Sequence, residues 1–248
     1  MKCILLFLFI SSSLSTIATL PPLGVLLNYG LFANVTIGNS GFTIVSGNVG
    51  AGTSIIGFPP GMVIPLGVLV SPGNSLNFMA YSDLLILSAN LSAQGPPTVM
   101  TGTPLAGLTL IPGVYFWATS AVSAPNGVLT LDAQNNTDAV WVIQITDVLL
   151  VDFGSRMVII NGGSPCNVFW IVGESTFTAF TGAVTQYFGT IVAGSTVVMG
   201  GDIELIGAVF SIAGSITTVN AGIVPCCEDQ CSCPVCGSSS PMTTGFIG

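Results

Sequence analysis

The chain has 248 residues, half of them hydrophobic and only 5% charged, with 31 glycines, no histidine and a formal net charge of −8. Two basic residues are too few to displace counterions from phosphate or to hold anionic lipid, which excludes nucleic-acid binding and a basic membrane patch. The absence of histidine excludes His-based acid–base catalysis, Ser-His and Cys-His nucleophile pairs, and His metal ligands.

Lys2, the apolar stretch Cys3–Ile10 and the small residues that lead to Thr16-Ile17-Ala18 predict a signal peptide over residues 1–18. The expected localisation is therefore secreted or extracellular, including a cell surface or a virion, and Arg156 is then the only remaining basic residue. Past the leader no clean apolar run reaches the ~18 residues a membrane helix needs. Met62–Val70 is cut by Pro65 and Gly67, and Val140–Val151 by Gln144 and Asp147. Apolar runs of roughly four to eight residues between Gly, Asn, Ser and Pro read as buried strands.

Residues 19–225 are expected to form one mainly β domain, a size that all-β domains often reach. Phe42–Ser46, Ser54–Gly57 and Val68–Ser71 are strand-like, and Phe58-Pro59-Pro60-Gly61 is a turn. Residues 75–93 contain neither Gly nor Pro, and Ala80, Leu84, Leu87 and Leu91 recur at helical spacing. They predict one long helix with a packing stripe, ended by Gln94-Gly95-Pro96-Pro97. Short strands follow: Leu129–Asp132, Val140–Ile145, Met157–Ile160, Val168–Val172, Thr190–Ala193, Thr196–Met199, Ala208–Ile212 and Ile216–Val219. Three strands begin alike, at Asn167, Gly189 and Gly207, roughly one solenoid coil apart. A Greek-key sandwich could share that spacing. Stacked coils explain more, because their interiors take apolar side chains and their corners Gly, Asn and Ser.

Several motifs then occur in one order. They are FPPGMV (58–63), LAGLTLIPGVYFW (105–117), LTLDAQNNTDAVWVIQI (129–145), VIINGGSPCNVFWIVGEST (158–176) and FGTIVAGSTVVMGG (188–201). Together they resemble the ice-binding-protein-like family of microbial and algal antifreeze proteins, over about Leu23–Val224. The resemblance implies a discontinuous β-solenoid of triangular section, with the long helix packed alongside. It also implies adsorption to ice or ordered water through a flat solenoid face, with no catalytic residue, metal, cofactor or small-molecule substrate. Candidates for that face are Thr43, Thr176, Thr178, Ser195, Thr196, Ser215 and Thr217, with Thr218 and Ser46 beside them. No regular Thr-x-Thr ladder repeats, and Phe177, Phe180 and Met199 interrupt a small-residue lattice. These departures support a rival reading: a structural or adhesive surface module on a cell wall or virion, without affinity for ice. Asp202 and Glu204 could share one side of a strand, as a polysaccharide-cleaving or calcium-binding β-helix would need.

Residues 226–248 form a Cys-rich, Ser- and Gly-containing tail that could join the domain to a larger assembly. Cys166, Cys226, Cys227, Cys231, Cys233 and Cys236 are candidates for disulfides, with a thiolate zinc site at Cys233 and Cys236 as the alternative. Asn34, Asn90 and Asn135 stand in N-glycosylation sequons.

Overall fold

The computed structural model describes residues 18–64, 67–100, 102, 104–178 and 184–226. The proposed leader up to Ile17 and the tail beyond Cys226 lie outside them.

A 3-10 turn, Gly24–Asn28, leads into β1 (Tyr29–Ala33), β2 (Thr36–Asn39) and β3 (Ile44–Ser46), which make one three-sided coil. A second coil follows as β4 (Asn48–Ala51), β5 (Ser54–Ile56) and β6 (Met62–Ile64), and β7 (Leu69–Val70) starts another. The chain then leaves the sheet as α1 (Ser75–Ala93) and returns at the far end as β8 (Thr98–Met100) and β9 (Thr109–Leu110). From there it coils back through β10 (Gly113–Trp117), β11 (Ala121–Ser123), β12 (Val128–Asp132), β13 (Trp141–Val151) and β14 (Arg156–Ile160). The last coils are β15 (Val168–Thr178), β16 (Thr185–Phe188), β17 (Thr190–Ala193), β18 (Val197–Ile206), β19 (Val209–Ser211) and β20 (Ile216–Val224).

Pairing is parallel throughout, from β7 on β4 to β10 on β8. The solenoid is discontinuous: β19 pairs with β1, and β20 pairs with both β2 and β3. The two ends of the chain therefore meet in the middle of the stack. The helix makes this possible. Nineteen residues at ~1.5 Å each span roughly 28 Å, about six strand spacings, so α1 carries the chain past the coils still to be laid down.

The helix keeps its expected bounds. Asn74 caps it by accepting a hydrogen bond from Leu76 N at 2.9 Å, and Ala80, Leu84, Leu87 and Leu91 are fully buried. Asn77 extends the buried stripe by one position that its polarity hid. Its Nδ2 faces the carbonyls of Ala51, Val70 and Ser71 at 3.0–3.1 Å, and its Oδ1 accepts from Tyr29 Oη at 3.2 Å. One side chain thus satisfies the backbone where the chain leaves the sheet for the helix.

The strands differ from expectation in length. β13, β15, β18 and β20 each cover two sides of the solenoid by bending at a corner. In β13 the bend is the register shift between Ile145 and Val148, where Thr146 and Asp147 turn outward into water. Polar residues that read as the end of a strand are there its corner. Gly189 and Gly207 stack on another corner beside Val168, one residue on from the Asn167 start that the sequence pattern suggests. Gly189 (φ 104°) and Gly207 (φ 148°) need glycine there, because a Cβ on either would strike the backbone of the coil beside it.

The interior is a mainly apolar column. Ile191, Val209 and Leu31 are aligned and fully buried on one side, and Leu205 and Ile223 on another. Trp117, Trp141 and Trp170 fill the wider coils, with Trp141 Nε1 donating to Leu110 O and Trp170 Nε1 to Phe188 O. Cys166 and Cys226 are disulfide-bonded with their Cα atoms 5.4 Å apart, so the end of β20 is tied to the start of β15. No helix among the described residues is long and apolar enough to cross a membrane.

Candidate functional site

The three sides carry different outward side chains. On the first, Phe32, Phe210 and Val192 lie in register, and they pack under α1 with Phe169 and Val142. This side is sealed.

The second side consists of β5, β2, the first halves of β20 and β18, the second halves of β15 and β13, and β11. Alternate residues point inward, where Ile37, Ile216, Val197 and Leu149 are fully buried. The outward row in register reads Ile56, Gly38, Thr217, Val198, Thr176, Leu150, Val122. A second row beside it reads Ser54, Thr36, Ser215, Thr196, Glu174, Val148, each being the residue before a registered pair or part of one. The hydroxyls of Thr36 and Ser54 are 2.9 Å apart. Neighbouring strands are ~4.8 Å apart and alternate residues ~6.8 Å apart, so these side chains form a two-dimensional lattice of methyl and hydroxyl groups. Glu174 is the one charged side chain within these two rows, and it is exposed.

The third side, from β6 and β3 through β16, β14 and β12 to β9, is rougher and more polar. Its outward row includes Met62, Ile44, Glu204, Gln186 and Arg156. Gln186 Nε2 donates to Glu204 Oε2 at 2.8 Å, which employs the carboxylate in a cross-strand pair. Asp132, on the same side, is held below the ordinary carboxylate range by hydrogen bonds from Asn161 and from the Gln134 backbone.

The expected threonines divide between these environments. Thr176 and Thr217 stand in the outward row of the second side, and Thr196, Ser195 and Ser215 are half-buried along its edge, at the corner with the sealed side. The backbone of Thr178 pairs with Gly200 on the same side, while its side chain lies outside the described set. Thr43 is a correction. It is fully buried at a corner, and its Oγ1 accepts from Ala221 N at 3.3 Å, so it offers nothing to a surface. Thr218 is corrected too: it points inward, 0% exposed, and bonds Asn39 Oδ1 at 3.1 Å. Ser46 lies on the third side, opposite Ile64. Thr36 and Ser54 were missed. The only signal was their spacing, eighteen residues apart and each followed by isoleucine.

Of the other candidates, Cys227, Cys231, Cys233 and Cys236 lie outside the described residues. Asn34 is half-buried at a corner, Asn90 is exposed on α1 with its Nδ2 donating to Ile86 O, and Asn135 is exposed in a turn.

A parallel three-sided solenoid, sealed by a helix on one side and open on a threonine-bearing side, is a rigid scaffold with a preformed surface. The chain belongs to the ice-binding-like family, whose model matches residues 31–224. An ice-binding protein of Nostoc sp. (strain HG1) is 34% identical over 182 residues, covering 71% of this chain and 63% of the Nostoc protein's length. Ice-binding protein K3-B1 of Typhula ishikariensis is 25% identical over 197 residues, covering 71% of this chain and 78% of its own. Among solved structures, an ice binding protein from an Antarctic biological consortium superposes with a TM-score of 0.77 at 28% identity, covering 85% of this chain and 93% of that one. One from the Antarctic ascomycete Antarctomyces psychrotrophicus gives 0.75 at 28% identity, with 83% and 98% covered.

Proposed function

We propose that the chain is a secreted, non-enzymatic ice-binding protein that adsorbs to ice through its second side, the threonine face. The carrying observation is the outward double row centred on Thr217, Val198 and Thr176, set in register by the coils and unhindered by α1. Its small side chains hold water in a repeating pattern without first being ordered themselves, so little conformational entropy is lost on contact with a crystal. A molecule fixed to a growing ice front forces it to curve between anchors, which slows growth. In this reading residues 1–18 are a leader, 19–225 the binding domain, and the tail beyond Cys226 a separate attachment.

A second reading has its own support. Leu150, Val122 and Ile56 make the ends of the row aliphatic, and Glu174 breaks the row beside it, as suits an adhesive or structural module. One experiment separates the two: thermal hysteresis and ice recrystallisation, measured for the wild type and for Thr217→Tyr. Ice binding at this face predicts activity in the wild type and loss of most of it in the variant, whose exposed phenol stands clear of the row. A folded wild type without activity would leave the adhesive reading. Equal activity in both proteins would move the binding surface elsewhere.

A further inference from the structure

The helix has two apolar stripes. The inner one, Ala80, Leu84, Leu87 and Leu91, packs on the solenoid. At ~100° per residue, Phe78, Met79, Leu85 and Ile86 fall on the opposite side of the helix. They are in water, with exposures of 68%, 51%, 44% and 49% respectively. Ser75, Ser82 and Ala89, seven residues apart and exposed, run as a low seam between a Phe78–Leu85 ridge and a Met79–Ile86 ridge. Polar residues border the stripe, with Asn90 and Asp83 on one flank and Tyr81 and Ser88 on the other. Asp83 is turned aside, its Oδ2 accepting from Val25 N at 2.8 Å. A helix that is apolar on both faces is normally covered on both. An apolar centre with a polar rim is the anatomy of a protein interface.

We propose that this outer stripe pairs two copies of the chain about a two-fold axis, α1 against α1. Such an axis uses the same patch twice, so the patch must fit itself. Ridges flanking a small-residue seam at seven-residue spacing do so, because the ridge of one helix can enter the seam of the other. The area also suits a second copy. Phe78, 68% exposed, offers roughly 100–170 Å² of the ~150–250 Å² of a whole aromatic side chain, and Met79, Leu85 and Ile86 enlarge the patch toward the contacts, under ~1,200 Å² in total, of weak and transient pairs. The flanking serines, Asn90 and Tyr81 supply the polar remainder. No charged side chain stands inside the stripe, so the net negative charge of the chain is not concentrated at the contact. The threonine face is on a different side of the solenoid and stays open in the pair. This inference does not depend on ice binding.

Sedimentation of the purified full-length protein between about 1 and about 100 μM tests it, a range that detects micromolar association. The wild type is expected to approach the mass of two chains at the upper end. The double variant Phe78→Glu/Leu85→Glu is expected to stay at one, with unchanged circular dichroism because both residues face water. Ser82→Arg, in the seam, repeats the test with a single exposed substitution should the double variant fold poorly. A single-chain mass for the wild type at the highest concentration would overturn the proposal. So would a two-chain mass kept by both variants. A monomeric wild type that binds phosphatidylcholine vesicles, with binding lost in the variants, would overturn it in favour of a lipid surface.

Discussion

The sealed side and the threonine face share one backbone lattice and end in opposite states. In the same coils where Phe32 and Phe210 are aligned and 1% exposed beneath the helix, Thr217 is exposed and Gly38, aligned with it, is half-buried. Both sides inherit the same strand spacing, so the lattice does not choose a partner. What differs is the outward side chains, with the rings of Phe32, Phe210 and Phe169 on one side and Thr217, Thr176 and aliphatic residues on the other. Aromatic rings project far enough to meet another apolar element and lose water, and α1 provides it. Threonine and glycine project little and leave that surface open to water.

Substitution on the two sides should expose this difference most strongly. Phe210→Ala removes a ring packed on both sides, and should cost about 3–5 kcal/mol. Thr217→Ala, in the neighbouring strand of the same coil, should stay within about 0.5 kcal/mol. Urea unfolding of both variants checks this, and equal losses would mean that α1 does not seal the first side. Next in size is the staple that holds the stack closed. Cys166→Ser opens a bond with a sequence separation of 60 and should cost about 2–4 kcal/mol, seen as a lower unfolding midpoint.

Smaller effects sharpen the picture of the threonine face. Glu174 interrupts the row of Ser54, Thr36, Ser215 and Thr196 with a strongly hydrated charge. Glu174→Thr should raise thermal hysteresis at equal concentration and change stability by less than about 0.5 kcal/mol. A fall in hysteresis would place the useful lattice elsewhere. The smallest effects are those of pH. Burial pushes Tyr29 up to about 12, and raises Tyr115 and Tyr187 as well. In the unfolded chain these phenols ionise near ~10, before the folded ones, so folding is favoured below that pH and weakens as pH rises toward about 12. Asp132 acts in the opposite sense. Its lowered value gives a stabilisation present above the ordinary carboxylate range and lost on acidification, and its contact with water keeps the effect slight. Melting temperatures from pH 2 to about 12 would show the alkaline fall first.

Much of this architecture is legible along the chain. The helix is visible because propensity, breakers and a leucine stripe agree over Ser75–Ala93. The second stripe, Phe78 to Ile86, is present in the same letters but blurs the contrast between faces, so its exposure emerges only when the solenoid takes the first stripe. Thr217 and Thr218 illustrate the opposite limit. They are adjacent and alike, yet one is open and the other is 0% exposed. Which one points outward depends on parity around a corner, and a corner can shift the register, as between Gly200 and Ile203. Thr43, at another corner, is buried for the same reason. The pairing of Cys166 with Cys226, out of six candidates, had no local signal either.

The helix, several of the strands, the poverty in charge and the family are legible along the chain, because they follow from local periodicity and from motifs that keep their order. Which threonines face water and which coil lies on which are set by the folded stack. Those outcomes depend on contacts such as Ile37 with Ile216, which the chain brings together only after α1 has carried it the length of the stack and the later coils have returned.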